Sequence, residues 1–209
     1  MSLRPTQPED RVFINCPFDA EYRPLFEAMV FAVHDCGFVA RCAQEADDGS
    51  QVRIDKIYRI IEGCRLGIHD ISRTEPDETS GLPRFNMPLE LGLFLGAKRF
   101  GSGAQKRKLR LILDRELYRY QQFCSDIAGQ DIKAHRGDCG LAIGIIRDWL
   151  RNAREGPTRP FPGGMEIARR YDEFRYVLPA LCREWRLTEA ELIFNDYTML
   201  VATWLERTA

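Results

Sequence analysis

The six residues Arg11-Val-Phe-Ile-Asn-Cys16, cut short by Pro17, decide how the chain is read. Val12, Phe13 and Ile14 are apolar on consecutive rather than alternate positions. A short run of that kind reads as a strand buried on both faces. Such strands belong to parallel sheets, where each crossover lays a helix over one face. A helix should therefore follow. Residues 22–36 meet that expectation: Leu25, Phe26, Met29 and Val33 give a wide apolar face, and Gly37 stops the run.

The alternation repeats. Residues 38–42 form a second short strand, Asp47-Asp48-Gly49 a turn, and Ser50 an N-cap for a helix over 51–62. Ile54, Ile57, Ile60 and Ile61 share its stripe, and Gly63 closes it. Leu66-Gly-Ile-His-Asp-Ile71 is the third strand, and the polar, proline-bearing residues 74–83 are a long loop. A third helix lies within 85–101, a fourth strand at 108–114, a helix over 119–128, a fifth strand at 131–134 and a helix from Asp138 to about residue 153. His135-Arg-Gly-Asp138 is a turn and a cap. Five strand-helix units imply an α/β fold: a five-stranded, doubly wound parallel sheet of flavodoxin-like type over residues 10–153.

Proline and glycine crowd the linker at 154–164. Beyond it, 165–209 predicts a helical hairpin. Ile167, Tyr171, Phe174, Leu178 and Leu181 stripe its first helix. Thr188-Glu-Ala-Glu191, between Leu187 and Leu192, reads as a capping box opening the second. A pair of about 45 residues has little core of its own. It should pack on the main domain or on a second copy, with Tyr197, Leu200 and Trp204 as the seam of a homo-oligomer.

A net charge of -1 over 209 residues argues against nucleic acid as a partner and against an electrostatic membrane anchor. No run approaches the ~18 apolar residues of a spanning helix. Residues 1–10 are a polar lead-in without a signal region. Seven cysteines, an odd number with no CxxC pair, point to reduced thiols in the cytoplasm rather than to disulfides or a metal site.

Open parallel sheets bind ligands beyond the carboxyl ends of their strands. Those ends carry Asn15, Cys16, Pro17, Phe18 and Asp19, then Gln44 and Glu45, then Asp70, Ser72 and Arg73, then Asp114. The long loop adds Asn86, Met87 and Glu90. The phosphate-loop, dinucleotide and nucleophile-elbow motifs are absent from the sequence. His34 and His69 read as packed residues, and Cys16 and Cys139 as small buried thiols. Arg53 reads as solvated surface, with a phosphate contact as its other role.

Carboxylate chemistry remains. A glutamate serves as nucleophile or charge stabiliser where a sugar carbon develops oxocarbenium character. Glu90 would stand at C1, Asp70 with Asn15 or Asn86 at the ribose hydroxyls, and Phe18 with Met87 against the base. The competing role for Glu90 is helix capping. If Pro88 is the first helical residue, Glu90 is the third and Met87 the cap. A capping box requires Ser or Thr there, so the motif is half missing.

The strand with FINCPF, the strand ending IHDIS and the helix opening NMPLELGLFLGAKR resemble the fold family shared by nucleoside 2-deoxyribosyltransferases and TIR-type domains. In the transferases a strand ending in Asp precedes a loop and a helix with a Glu-Leu-Gly-like start, whose Glu is the nucleophile. Glu90-Leu91-Gly92 matches that form. The loop Arg84-Phe-Asn-Met-Pro88 is less glycine-rich than the transferase loop, and the helical tail belongs to neither minimal family. The resemblance implies an enzyme that cleaves the N-glycosidic bond of a nucleotide or nucleoside. It implies no cofactor, NAD being a substrate if it binds. The alternative is a nucleotide-sensing or protein-interaction module without turnover, in bacterial defence or signalling.

Overall fold

Residues 7–45, 49–50, 52–76, 81–155 and 160–208 are described by the computed structural model. Five strands and four helices follow in the order β1 (Arg11–Asn15), α1 (Arg23–Asp35), β2 (Val39–Arg41), α2 (Arg53–Glu62), β3 (Leu66–Asp70), α3 (Asn86–Phe100), β4 (Leu109–Asp114), β5 (Ile132–Ala134) and α4 (Cys139–Ala153), every strand but β4 being followed by a helix. Two further helices follow, α5 (Gly164–Glu184) and α6 (Phe194–Arg207). Every strand pairing is parallel, and the spatial order is β2-β1-β3-β4-β5. The winding direction reverses between β1 and β3, which opens a crevice at the carboxyl ends of those two strands.

Both faces of the sheet are covered, which explains the unbroken apolar runs. Val12, Ile14, Leu66, Ile68, Leu111 and Leu113 face α1 and α4. Phe13 faces the other way, onto Ile57, Ile60 and Ile61 of α2 and Phe94 of α3. Gly67 permits the close approach of α3: a Cβ there would lie 2.7 Å from His69 Nε2 and 2.8 Å from the Phe94 ring. The stop of α1 is also a glycine effect. Gly37 takes φ 75°, its N–H donates to His34 O at 2.8 Å, and Phe38 N–H reaches back to Val33 O.

The tail is a third layer of the same core. Phe31 of α1 meets Tyr171, Phe174 and Trp204 at ring-centroid distances of 5.4, 5.4 and 5.7 Å. Tyr197, Leu200 and Trp204 are buried against the chain's own helices, so the expected homo-oligomer seam is already occupied within one chain. Arg170 holds Asp35 through two contacts of 3.1 Å, and the Tyr197 hydroxyl donates to Glu27 O at 3.1 Å.

Three local expectations are corrected. The segment 119–128 is not one helix but two single turns, Arg119–Gln122 and Ser125–Ile127. Tyr118 enters with φ 64°, and the Arg119 side chain is spent on Asp114 and on the carbonyls of Ile71 and Ser72. Thr188 bonds the Glu191 side chain at 2.7 Å rather than a backbone N–H, so Glu189–Glu191 is a single turn. The helix α6 starts instead at Phe194, where the Asp196 carboxylate accepts the Ile193 N–H at 3.4 Å. Ser50 does not cap α2, whose flanking residue is Val52. The expected turn at Asp47-Asp48 lies outside the described residues. Among those residues no helix is long and apolar enough to cross a membrane.

A chain ended at residue 163 would expose the face of α1 around Phe31, whose aromatic neighbours all come from the tail. It is expected to lose the cooperative thermal transition followed by circular dichroism. A truncated chain melting at an unchanged temperature would contradict the three-layer core.

Candidate functional site

The register of α3 decides what Glu90 is for. The first ladder bond runs from Leu89 N–H to Phe85 O at 3.0 Å, so Asn86 is the first helical residue and Glu90 the fifth. This corrects the register that made Glu90 the third. Proline is tolerated anywhere in a first turn, because none of those N–H groups has an intrahelical partner. Pro88 therefore does not mark the start. At the fifth position a carboxylate is past the unbonded N–H groups and past the reach of the macrodipole. Helix capping does not explain it.

Glu90 is 6% exposed, and among the described residues its carboxylate makes no hydrogen bond or ion pair. It lines a cleft of about 270 Å³ with Asn15, Cys16, Pro17, Phe18, Asn86 and Met87. Gln44, Asp19 and three arginines, Arg53, Arg73 and Arg84, complete the wall. Burial raises the Glu90 pKa from 4.5 to about 7, opposed by the field of Arg53. The floor is thus a buried acid near neutrality, and the rim is cationic. Arg73 is taken up by Asp19 at 3.7 Å and Glu21 at 2.8 Å.

Asn15 is a positioning residue. Its Nδ2 donates to Met87 O at 2.9 Å and stands 3.2 Å from His69 Nδ1, tying the end of β1 to the first turn of α3. Nδ1 accepts in that pairing, so the neutral ring carries its proton on Nε2. Burial pulls the His69 pKa down to about 3, and its ring packs 4.9 Å from Phe94. His34 is likewise held neutral, near 4, by burial. Both are packing residues, as the sequence suggested.

Asp70 and Ser72 do not reach the cleft. Asp70 is wholly buried behind it. Its Oδ1 accepts the Ser72 N–H at 2.8 Å and its Oδ2 the Tyr22 hydroxyl at 2.5 Å. His135 Nε2 approaches Oδ2 to 2.8 Å without a well-aligned hydrogen bond, while Nδ1 accepts the Gly137 N–H at 2.9 Å. This carboxylate spends its lone pairs holding β3, α1 and the turn after β5 together. Asp114 does a similar task for Arg119 at 2.9 Å. Tyr22, His135 and Arg84 escaped sequence reasoning. Tyr22 and His135 lie 48 and 65 positions from Asp70, and nothing local marks any of the three.

Cys16 stands in the cleft wall, but burial, then Asp70 and Glu90 among nearby acids, push its thiol well up. It is no nucleophile at neutral pH. Cys139 is raised by burial as well, and none of the seven cysteines is paired. Among the described residues no cluster of three His, Cys, Asp or Glu side chains is placed to hold a metal ion. No family model, curated protein or solved structure matches the chain.

A buried acid with a raised pKa keeps its proton when folded and loses it when unfolded, between pH 4.5 and about 7. Stability due to Glu90 therefore falls as pH rises through that window, by up to about 3 kcal/mol above it. Glu90→Gln should raise the melting temperature at pH 8 by roughly 5–10 °C, and by little at pH 5. A variant less stable than the parent at both pH values would make Glu90 a structural residue.

Proposed function

We propose that the cleft binds a nucleotide or nucleoside and that Glu90 acts at its anomeric carbon to break the N-glycosidic bond. One observation carries this reading: a buried carboxylate without a partner among the described residues, at a position where capping gives it no purpose, in the crevice where such sheets bind ligands. The resemblance of the third strand and third helix to deoxyribosyltransferases and TIR-type domains supports the same chemistry, as an analogy of motif.

The reaction follows from the residues. The ionised Glu90 carboxylate faces C1 as the bond to the base breaks, and that electron pair leaves with the base nitrogen. Glu90 stabilises the developing cation or closes on it as a glycosyl ester. Water then completes hydrolysis, its proton balancing the released base; a second base in place of water gives exchange. Phe18 and Met87 form the apolar wall for the base, and Asn86 faces the sugar hydroxyls. Asn15 holds the turn that carries Met87.

Only ionised Glu90 serves in this role, so kcat/KM should rise with pH and level off above about pH 7. Glu90→Gln should lower kcat by about 10²–10⁴-fold, the span of a positioned catalytic group. Chromatography of NAD, NADP, nucleosides and nucleotides incubated with each protein reads both effects as released base. A second reading has one observation in its favour: among the described residues the other acid lining the cleft, Asp19, is paired with Arg73, so none of them offers a free acid to the leaving base. On that reading the cleft holds a nucleotide without turnover, and no base is released at any protein concentration.

A further inference from the structure

Two cavities adjoin the Glu90 cleft, and all three share Gln44 as a lining residue. The larger, about 440 Å³, runs between Arg53 and Lys56 on one side and the tail residues Leu192, Ile193, Phe194 and Asn195 on the other. Asn195 latches that wall by donating to Glu45 O at 2.9 Å, and Arg23 donates to Glu189 O at 2.9 Å. Together they form a trench that begins at Glu90 and ends at the tail.

The charges along the trench are unequally matched. Glu45 is gripped by Arg41, Glu27 by Arg23 at 2.7 Å, and Asp19 by Arg73. Arg53 and Lys56, three positions apart on one face of α2, make no hydrogen bond or ion pair among the described residues. Arg53 lines both the Glu90 cleft and the larger cavity, so it stands at the join. Two unmatched cations beside a buried, unmatched carboxylate suit a ligand with a neutral sugar at one end and a dianion at the other.

We propose that the ligand of this trench is a nucleoside phosphate rather than a nucleoside, its phosphate held between Arg53 and Lys56 while its sugar lies over Glu90. The proposal rests on reading the Glu90 cleft as a nucleoside site. Charge-assisted contacts from two cations are the means of discrimination. The tail residues 192–195 close the far side, so the third layer of the fold shapes ligand choice.

The test is calorimetric titration of the full chain carrying Glu90→Gln with the four ribonucleosides, their 5′-mono- and diphosphates, and sodium phosphate alone. At least one 5′-phosphate should bind ten-fold or more tightly than its nucleoside. In that background Lys56→Gln should remove most of that gain, and Arg53→Gln likewise. Equal binding of nucleoside and nucleotide overturns the proposal. So does a gain that survives both substitutions, inorganic phosphate binding as tightly as the best nucleotide, or binding by none of the probes. Preferential nucleotide binding, with no base released by the parent protein, supports the phosphate site while removing the glycosidic reaction.

Discussion

A parallel sheet with both faces covered leaves little room for polar side chains except at the ends of its strands. β1 and β3 lie between two other strands and between two helical layers, and every residue of β3 is buried. Their last residues, Asn15 and Asp70, carry polar groups into that interior. An unsatisfied polar group there costs on the order of 1–3 kcal/mol, so each must find a partner within the protein. Asn15 finds the Met87 carbonyl, Asp70 finds Tyr22 and Ser72, and Asp114 finds Arg119. Glu90 faces the same constraint and is left unmatched. Of the arginines in the cleft wall, Arg73 is spent on Asp19 and Glu21, while Arg53 acts on Glu90 through its field without bonding to it.

The same constraint explains the tail. α1 is apolar around much of its circumference, with Ala28 through Val33 all fully buried. The sheet takes one side of such a helix, and something else must take the other. α5 and α6 do so through Tyr171, Phe174 and Trp204 around Phe31. Their connecting residues then reach the carboxyl edge of the sheet at β2. A device that completes the core thereby becomes a wall of the trench.

The fold was largely legible because consecutive apolar positions bounded by Pro17, Gly37 and Gly63 repeat with the period of strand-helix units. Tyr120, Phe123 and Ile127 mimic a helical stripe at 119–128, but a left-handed Tyr118 and the anchoring of Arg119 break the chain into turns. The start of α3 was misplaced because proline is accepted at several first-turn positions. That shift mattered, since it removed capping as a role for Glu90. At the site, the residues next to strand ends, Asn15 to Phe18 and Asn86 to Glu90, could be listed from sequence order. Asp70 could be listed but not oriented: only the positions of Tyr22 and His135 turn it from the cleft toward the interior.

Most depends on Glu90 being a buried carboxyl that has no partner among the described residues and titrates near neutrality. Its direct test is the pH titration of the Glu90 side-chain carboxyl carbon by NMR in the full chain, with the signal assigned by its absence from Glu90→Gln. A single titration centred near pH 7 is expected. A midpoint at or below 4.5, the ordinary glutamate value, would mean that the group is solvated or paired, and would contradict the account.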